Sequence, residues 1–418
     1  MSISYASTGQ SFIDSQYGTH AASTAIQSLV KQVVDRQYHK QAQTKCFWQN
    51  SGLIGPDLYA EGNFAETKPG YPVLRKTELE RESGDTIKMG LQTNLATTNT
   101  LGKVGPVQLV DNEVGWNFYH LYIKIEEWRQ GVRTDGGMNI QRNPYKPLEE
   151  QEADLLSDWE AQTHDNEITY ALWCGRDLHT LRNLGTASLL ASPNLNTLFG
   201  NDITLDTTRT IADMKGDKTD NVSALTFEIG KTYMTQNNFD PIAINGGNYF
   251  VALISPMAEL VLLQDERFRS AQLLAAARGP ENPIFKHASF LYNNVVILTY
   301  DKIRSLLSGY NPTVSVTGGT IGLGDHTITI SAYTGIGGGL AYTDLHQTMF
   351  LGANAVCLAE GATKMGVRTE DDYGHIIGRS TSSIYGVSRA DWRNEAVHDD
   401  TAPTSNQSSM VIVNSMVM

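Results

Sequence analysis

The sequence predicts an α+β protein, and three patterns along its 418 residues carry this prediction. Two segments, near residues 87 and 119, alternate apolar and polar side chains with the period of two that half-buried strands show. A long helix follows from Pro147, and the region from Ser223 onward mixes short buried strands with short helices. At about 100 to 200 residues per domain, the length allows two to four domains or one composite fold.

The composition disfavours two classes of protein. Hydrophobic residues make up 40% and charged residues 18%, so the chain buries a core and is not disordered through charge. Lys and Arg total 32 against 45 Asp and Glu, which gives a formal charge of -13. A protein that binds nucleic acid over its whole surface needs the opposite balance, so a DNA-binding regulator is disfavoured.

Cysteine usage and the N-terminus predict a cytoplasmic protein without membrane contact. Cys46, Cys174 and Cys357 are far apart and provide no CxxC pair, zinc-ligand spacing or even-numbered disulfide framework. The first basic residue is Lys31, so the positive region of a signal peptide is missing. No apolar run approaches the roughly 18 residues that a membrane span needs.

Residues 1–60 are predicted to be an N-terminal arm. After a polar stretch, apolar residues recur at helical spacing from Ala22 to Val33. This segment is basic within an acidic protein, because four cations accompany a single acid, Asp35. The four cations are Lys31, Arg36, Lys40 and Lys45.

Residues 61–130 are predicted to form an extended hairpin. Its two strands each place apolar side chains on one face and polar side chains on the other. The connection, about residues 96–115, is rich in threonine, and a loop of that length is usually functional or disordered. The apolar face consists of Ile87, Met89, Leu91, Leu95, Tyr119, Leu121, Ile123 and Ile125.

Residues 131–222 are predicted to be a domain built on the long helix. Leu148, Leu155, Leu156 and Trp159 form one apolar stripe along it. Eight acids and no cation lie in the same stretch, and we interpret them as a solvated face, because they surround the early turns instead of converging on a metal or catalytic site. The acids are Glu149, Glu150, Glu152, Asp154, Asp158, Glu160, Asp165 and Glu167. Residues 174–220 are irregular and polar.

Residues 223–360 are predicted to be a compact α/β domain that begins at an N-cap, Ser223. Its expected elements are strands at 249–254 and 295–300 and helices at 256–263 and 268–278.

Within that domain, residues 313–340 are predicted to be a β-hairpin insertion. Thr-Val-Ser-Val-Thr and Thr-Ile-Thr-Ile-Ser flank a glycine-rich turn there. Residues 361–418, which end in an apolar strand at 410–417, are expected to return to the domain of the long helix.

Motifs that carry chemistry do not emerge from the sequence. The glycines between 318 and 324 are not followed by Gly-Lys-Ser or Gly-Lys-Thr, so a hairpin turn is favoured over a phosphate loop. Asp325 beside His326 has no GxSxG elbow, and Cys174 with His179 has no second pair of metal ligands. Cys357 lies in an apolar segment and is interpreted as a small core residue. We therefore predict no catalytic residues, no metal and no cofactor.

The order of these elements, with short motifs at corresponding positions, resembles the major capsid proteins of tailed bacteriophages, in particular their podophage-type branch. The motifs follow the family's order over about residues 84–392. They are Gly84-Asp85-Thr86-Ile87, Trp128-Arg129-Gln130-Gly131-Val132-Arg133, Gly137-Met138, Tyr249-Phe250-Val251, Ser255-Pro256, Asn282-Pro283-Ile284-Phe285, Tyr292-Asn293-Asn294-Val295-Val296, Leu351-Gly352-Ala353-Asn354-Ala355 and Tyr385-Gly386-Val387.

This resemblance implies a Hong Kong 97-like fold: an N-terminal arm, an extended loop, a peripheral domain with a long spine helix and an axial domain around the capsomer axes. It implies a protein of the virion capsid, whose hexamers and pentamers form an icosahedral head around double-stranded DNA. It also implies a portal and decoration proteins as partners. A separate scaffolding protein is expected, because no long coiled-coil segment precedes the hairpin.

Two roles for residues follow from the resemblance together with the patterns. The apolar hairpin face should lie on a neighbouring copy's peripheral domain, so that assembly completes its burial. The four cations of the arm should contact the packaged DNA without sequence specificity, although a solvated basic face explains them equally well. In the wider fold a loop lysine forms a covalent bond to a neighbour's asparagine, but the surroundings of Lys88 and Lys103 give no sign of activation.

Two other hypotheses stay open at this stage. A non-viral compartment shell of the same fold would co-purify with an enclosed enzyme. An enzyme that uses the acidic helix with Asp325 and His326 would remain monomeric and lose catalysis when those residues are changed.

Overall fold

The computed structural model describes two compact units, each assembled from separated stretches of the chain. The first comprises Met1–Asn50, Arg129–His164 and Lys364–Ser382, and the second comprises Ser51–Trp128, Asp165–Thr363 and Ser383–Met418. Within these, the structure describes residues 45–57, 70–77, 84, 86–92, 118–135, 148–174, 196–206, 209, 218–244, 247–274, 290–301, 319–323, 326–330, 345–361, 364–365, 369–371, 376–390, 393–394 and 409–416.

The described elements are numbered in chain order. The helices are α1 Phe47–Asn50, α2 Leu148–Cys174, α3 Ala224–Gln236, α4 Pro256–Leu262 and α5 Glu266–Leu274. The strands are β1 Ile54–Asp57, β2 Val73–Lys76, β3 Thr86–Gln92, β4 Phe118–Lys124, β5 Glu126–Asp135, β6 Thr197–Phe199, β7 Ile242–Ile244, β8 Gly247–Ile254, β9 Phe290–Tyr292, β10 Val295–Thr299, β11 Gly319–Leu323, β12 His326–Ile330, β13 Leu345–Leu351, β14 Val356–Glu360, β15 Lys364–Met365, β16 Thr369–Asp371, β17 Ile376–Arg389, β18 Arg393–Asn394 and β19 Met410–Met416.

The centre of the second unit is a sheet in the order β6-β19-β13-β8-β10-β9, with β7 on β8. Strands β8 and β10 are parallel and buried along most of their length, as their continuous apolar sequences predict. Helix α3 covers the sheet and places Phe227 against Phe350 with ring centroids 5.8 Å apart. Gly230 permits this approach, since a Cβ there would come within 2.5 Å of the Phe350 ring.

Most predicted elements of this domain are confirmed. Strands β8 and β10 and helices α4 and α5 lie at the expected positions. Ser223 is the N-cap of α3, and its backbone N–H donates to Thr226 Oγ1 at 3.1 Å. The prediction that Ser223 caps the start of this helix is therefore confirmed.

The C-terminal strand corrects one expectation. β19 pairs antiparallel with β13 along Leu345↔Met416 to Leu351↔Met410 and parallel with β6. Residues 364–382 of the predicted segment do lie in the first unit, where Arg379 Nε comes within 3.7 Å of Glu152 on the long helix, but the end of the chain completes the sheet of the α/β domain instead. The physical reason is that its residues from Met410 to Val413 are apolar and buried on both sheet faces, which suits a central strand.

The glycine-rich hairpin is also shifted from its expected position. β11 and β12 pair antiparallel from Gly319↔Ile330 to Leu323↔His326. The glycine-rich stretch therefore supplies a strand, where the sequence suggested the turn, because the apolar Ile321 and Leu323 give it the alternation of a strand. Residues 313–318 lie outside the described part of the chain.

A second layer of the same unit lies beneath the hairpin. β2 runs parallel to β1 and β14, and β14 runs antiparallel to the last part of β17, from Val356↔Arg389 to Glu360↔Tyr385. In the first unit, the preceding part of β17 pairs with β15 and β16. The hairpin strands β3 and β4 form their own sheet with β18.

Candidate assembly interface

The predicted hairpin is present and its register is regular. β3 and β4 pair antiparallel from Thr86↔Lys124 to Gln92↔Phe118. Alternate pairs such as Ile87↔Ile123 and Met89↔Leu121 therefore share one face. The period of two in the sequence placed the apolar face correctly.

The covering of that face corrects the expectation that a neighbouring copy buries it. Four of its members are at most 5% exposed within their own chain: Ile87, Met89, Leu121 and Ile123. They pack against Leu74 of β2, against Cys357 and Ala359 of β14, and against Ala390, with Ile125 partly buried beside them. Two sheets of one chain stack face to face here, so these four side chains have no surface left for another copy.

For the remaining members of the predicted apolar face, the structure does not describe what covers the side chains. Leu91 and Tyr119 lie on the paired strands as a cross-strand pair, and their side chains lie outside the described part of the structure. Leu95 lies outside it altogether, as does the loop at residues 96–115. Their contact with a neighbouring copy stays a prediction.

The opposite face of the hairpin is exposed and positively charged. Lys88 and Tyr122 are cross-strand partners, and the Lys88 ammonium lies 5.7 Å from the centre of the Tyr122 ring, within cation–π range. Lys124 is also exposed and lies 3.7 Å from Glu126. Lys76 of β2 donates to the backbone carbonyl of Lys88 at 3.1 Å. In a chain of net charge -13, this is a distinct basic surface.

The arm cations are described only at Lys45. Its ammonium lies 2.7 Å from Asp158 Oδ1 and donates to Ser157 Oγ at 2.8 Å, both on α2 within the first unit. Lys45 is therefore engaged by its own chain, which lowers the charge it can offer to DNA. Lys31, Arg36 and Lys40 lie outside the described residues.

Helix α2 confirms the predicted long helix and corrects the interpretation of its faces. Glu152 and Glu160 are buried in the first unit, and Asp165 and Glu167 are buried in the second, so these four acids are not a solvated face. Leu155, which was expected in the apolar stripe, is exposed, as is Asp158. A buried acid needs a polar partner, and Glu152 has one in Arg379 at 3.7 Å.

The features considered for catalysis do not come together as a site. Over the described residues, no group of His, Cys, Asp and Glu is arranged to hold a metal ion. His326 is the first residue of β12, and Asp325 lies outside the description. Cys357 is buried in the core, as predicted. In the same part of the chain, no helix is both long and apolar enough to cross a bilayer.

Sequence reasoning assigned no role to the exposed face of the hairpin. The alternating pattern was used to predict the apolar face, and its polar positions include Lys88, Tyr122 and Lys124. The alternation itself was the signal, because the face opposite a buried one is exposed.

Comparison with known proteins decides the family. The chain matches the family described as phage capsid protein over residues 21–418. It belongs to the phage capsid protein family. No curated protein matches it.

Solved phage capsids share the fold of this capsid protein. It is similar to the capsid of Ralstonia phage GP4, with 19% identity over 90% of this chain and 92% of that chain and a TM-score of 0.63. For the capsid of cyanophage Pam1 the identity is 16%, the coverage 84% and 90%, and the TM-score 0.59. The head of Helicobacter pylori bacteriophage KHP40 shares 13% identity over 88% of this chain and 91% of that chain, with a TM-score of 0.54.

These findings confirm the Hong Kong 97-like fold and the capsid function predicted from the sequence. The chain is a major capsid protein of the virion, and many copies form the capsomers of the head shell. Its functional site is therefore the set of surfaces that join one copy to the next.

Proposed function

We propose that this capsid protein assembles through hexamers and pentamers into an icosahedral shell that encloses double-stranded DNA. The observation that carries the proposal is the family match over residues 21–418, which includes the described parts of both compact units. Heterologous contacts between identical subunits close into rings, and rings that meet at suitable angles close into a shell.

The hairpin reaches a neighbouring copy through its exposed basic face and the loop at residues 96–115. The basic face carries Lys88, Lys124 and the exposed ring of Tyr122. The partner surface lies on α2, where Leu155 is exposed. Asp158, one helical turn further on, is already paired with Lys45 of its own chain, so the surplus of acids over cations along this helix supplies the negative charge. We propose that Tyr122 of one copy packs on Leu155 of the next and that the lysines face its acids.

Two changes test this contact. Deletion of residues 96–115 and, separately, Tyr122→Ser with Lys124→Glu are expected to abolish shells and capsomer rings in negative-stain electron microscopy and sedimentation. Thr86→Ala is the matched control, because Thr86 is an exposed position on the same hairpin face without a charge or ring. Assembly of the Tyr122→Ser, Lys124→Glu chain at wild-type yield would contradict the hairpin contact while leaving the shell function intact.

The remaining assignments concern partners and catalysis. We propose that the protein has no catalytic role, which its membership of a structural family supports. A separate scaffolding protein, a portal and decoration proteins complete the head, which assembles in the host cytoplasm. Lys31, Arg36 and Lys40 contact the packaged DNA through phosphates, since cations that neutralise phosphates bind without sequence preference.

The non-viral compartment shell remains the second candidate on fold alone. Membership of a phage capsid family favours the viral shell. Particles that contain an enzyme and no nucleic acid after purification from the natural source would favour the compartment.

A further inference from the structure

Exposed apolar side chains gather in one part of the second unit. Among the described residues, the large exposed hydrophobic side chains include Ile203 at 77%, Met257 at 54%, Leu260 at 53% and Leu263 at 40% exposure. The last three recur every third position along and just beyond α4 and so form a ridge, while Ala258 and Leu262 are fully buried on the opposite side.

Sheet topology places Ile203 and this ridge at the same edge. β6 is parallel to β19, β19 is antiparallel to β13, and β13 is antiparallel to β8, so β6 and β8 run in the same direction. Ile203 follows the end of β6, and α4 follows the end of β8 after Ser255 alone. Both therefore lie at the carboxyl edge of the sheet.

The N-terminus of α3 links the two segments directly. Asn201 Nδ2 lies 3.4 Å from Ser223 Oγ, and the Ala224 N–H donates to Asp265 Oδ2 at 2.6 Å. Asn201 precedes Ile203 by two residues, and Asp265 follows Leu263 by two. We call the four side chains Ile203, Met257, Leu260 and Leu263 the apolar edge.

The segment that presents Ile203 is held by hydrogen bonds. Asn201 Nδ2 donates to the carbonyls of Thr219 at 2.8 Å and Asn221 at 2.7 Å, and the Asn201 N–H donates to Asp220 Oδ1 at 3.0 Å. The Thr204 N–H donates to Asp202 Oδ1 at 2.9 Å. A surface that is ordered before binding loses less conformational entropy when it binds.

We propose that the apolar edge is a head-to-tail contact between two copies of this chain, in which Ile203 of one copy packs on the α4 ridge of the next. The proposal rests on the shell function above, because only a protein that assembles with itself brings these two segments together. Exposed apolar clusters on soluble proteins mark such contacts.

Ring closure favours a head-to-tail contact over a two-fold one. A two-fold contact joins the same patch of two copies and ends at a dimer, whereas a ring of identical subunits needs two different surfaces on each copy. Ile203 after β6 and the α4 ridge after β8 are two such surfaces on one chain. Charge does not select between the two geometries, because Asp202 lies 3.7 Å from Arg209, Arg267 lies 3.5 Å from Glu228, and Glu259 and Glu266 accompany the ridge.

Cross-linking tests the geometry. Full-length Ile203→Cys and Leu260→Cys chains, co-assembled and mildly oxidised, are expected to give covalent dimers that contain one chain of each kind. Wild-type protein sets the background from its own cysteines. Equally strong dimers from the Leu260→Cys chain alone, without the mixed product, would overturn the head-to-tail contact.

Charge insertion tests the energetic role. Met257→Glu with Leu260→Glu is expected to reduce assembly yield at least tenfold, while Thr232→Glu with Thr235→Glu, two exposed positions on α3, leaves it unchanged. An unchanged melting curve for the unassembled Met257→Glu, Leu260→Glu chain separates lost contact from lost folding. If the wild-type chain assembles and the glutamate variant assembles equally well, this contact alone is overturned. Wild-type chain that forms no oligomer would overturn the shell function and the contact with it.

Discussion

At the scale of single residues, two glycines mark places where backbone and side chain pack too closely for any other residue. A Cβ on Gly386 of β17 would collide with the Lys124 carbonyl oxygen of β4. Gly230 meets the ring of Phe350 in the same way. The motif Tyr385-Gly386-Val387, which contributed to the resemblance, thus has a physical reason within one chain: β17 needs a glycine where the hairpin crosses it.

Gly386→Ala is expected to destabilise the unassembled chain by about 1–3 kcal/mol, because the backbone of β4 must move to admit the methyl group. The free energy of unfolding in urea measures this. Gly131→Ala is the control, since the nearest atom to a Cβ there, the Arg379 carbonyl oxygen, lies at an ordinary 3.4 Å. Equal stabilities of the two variants would show that β4 does not lie against Gly386.

Tyr292 gives the second unit a pH dependence in alkaline solution. Burial, together with the hydrogen bond that its hydroxyl donates to Glu228 Oε1 at 2.7 Å, raises the pKa of Tyr292 from 10.0 to about 12. Between these two values the unfolded chain loses a proton that the folded chain keeps, so stability is fully present below pH 10 and falls as pH rises toward 12.

Tyr292→Phe is therefore expected to flatten the fall of the urea midpoint between about pH 10 and pH 12. A residual slope should remain, because burial also raises the pKa of Tyr233. An unchanged slope in the Tyr292→Phe chain would mean that other groups set the alkaline limit.

At the scale of elements, the hairpin shows what alternation in a sequence can predict. The period of two identified the strands, their pairing and which face is apolar. It carried no information about what covers that face, because the covering strand β14 is more than two hundred positions away in the sequence. Helix α2 shows the same limit: a long helix that begins near Pro147 was predictable, but the burial of Glu152 and the exposure of Leu155 depend on its surroundings.

Met89→Ala distinguishes burial within the chain from burial by a neighbour. Met89 is fully covered by its own chain, so the substitution is expected to cost the unassembled protein roughly 2–5 kcal/mol. Thr86→Ala, on the exposed face of the same strand, should change the free energy of unfolding little. If the apolar face met only another copy, Met89→Ala would leave the unassembled chain as stable as wild type.

At the scale of the whole molecule, the two proposed contacts differ in their physical basis. The hairpin contact pairs lysines with acids, whereas the apolar edge excludes water from Ile203 and the α4 ridge. Each copy carries a net charge of -13, so copies also repel one another. Salt screens both the attraction at the hairpin and the general repulsion, and has little effect on the apolar edge.

Removal of the hairpin charges should therefore change how assembly responds to salt. In a Lys88→Ala, Lys124→Ala chain the lysine–acid attraction is gone, and added salt only relieves repulsion between copies. The ratio of wild-type to variant association constants is expected to fall as sodium chloride rises from about 0.05 M to about 0.5 M, because screening weakens only the wild type's extra contact. Sedimentation velocity over this range measures the ratio, and Met257→Ser serves as the control, since its ratio to wild type should vary little with salt. A ratio for the lysine variant that stays constant would mean that the hairpin lysines make no electrostatic contact with a neighbouring copy.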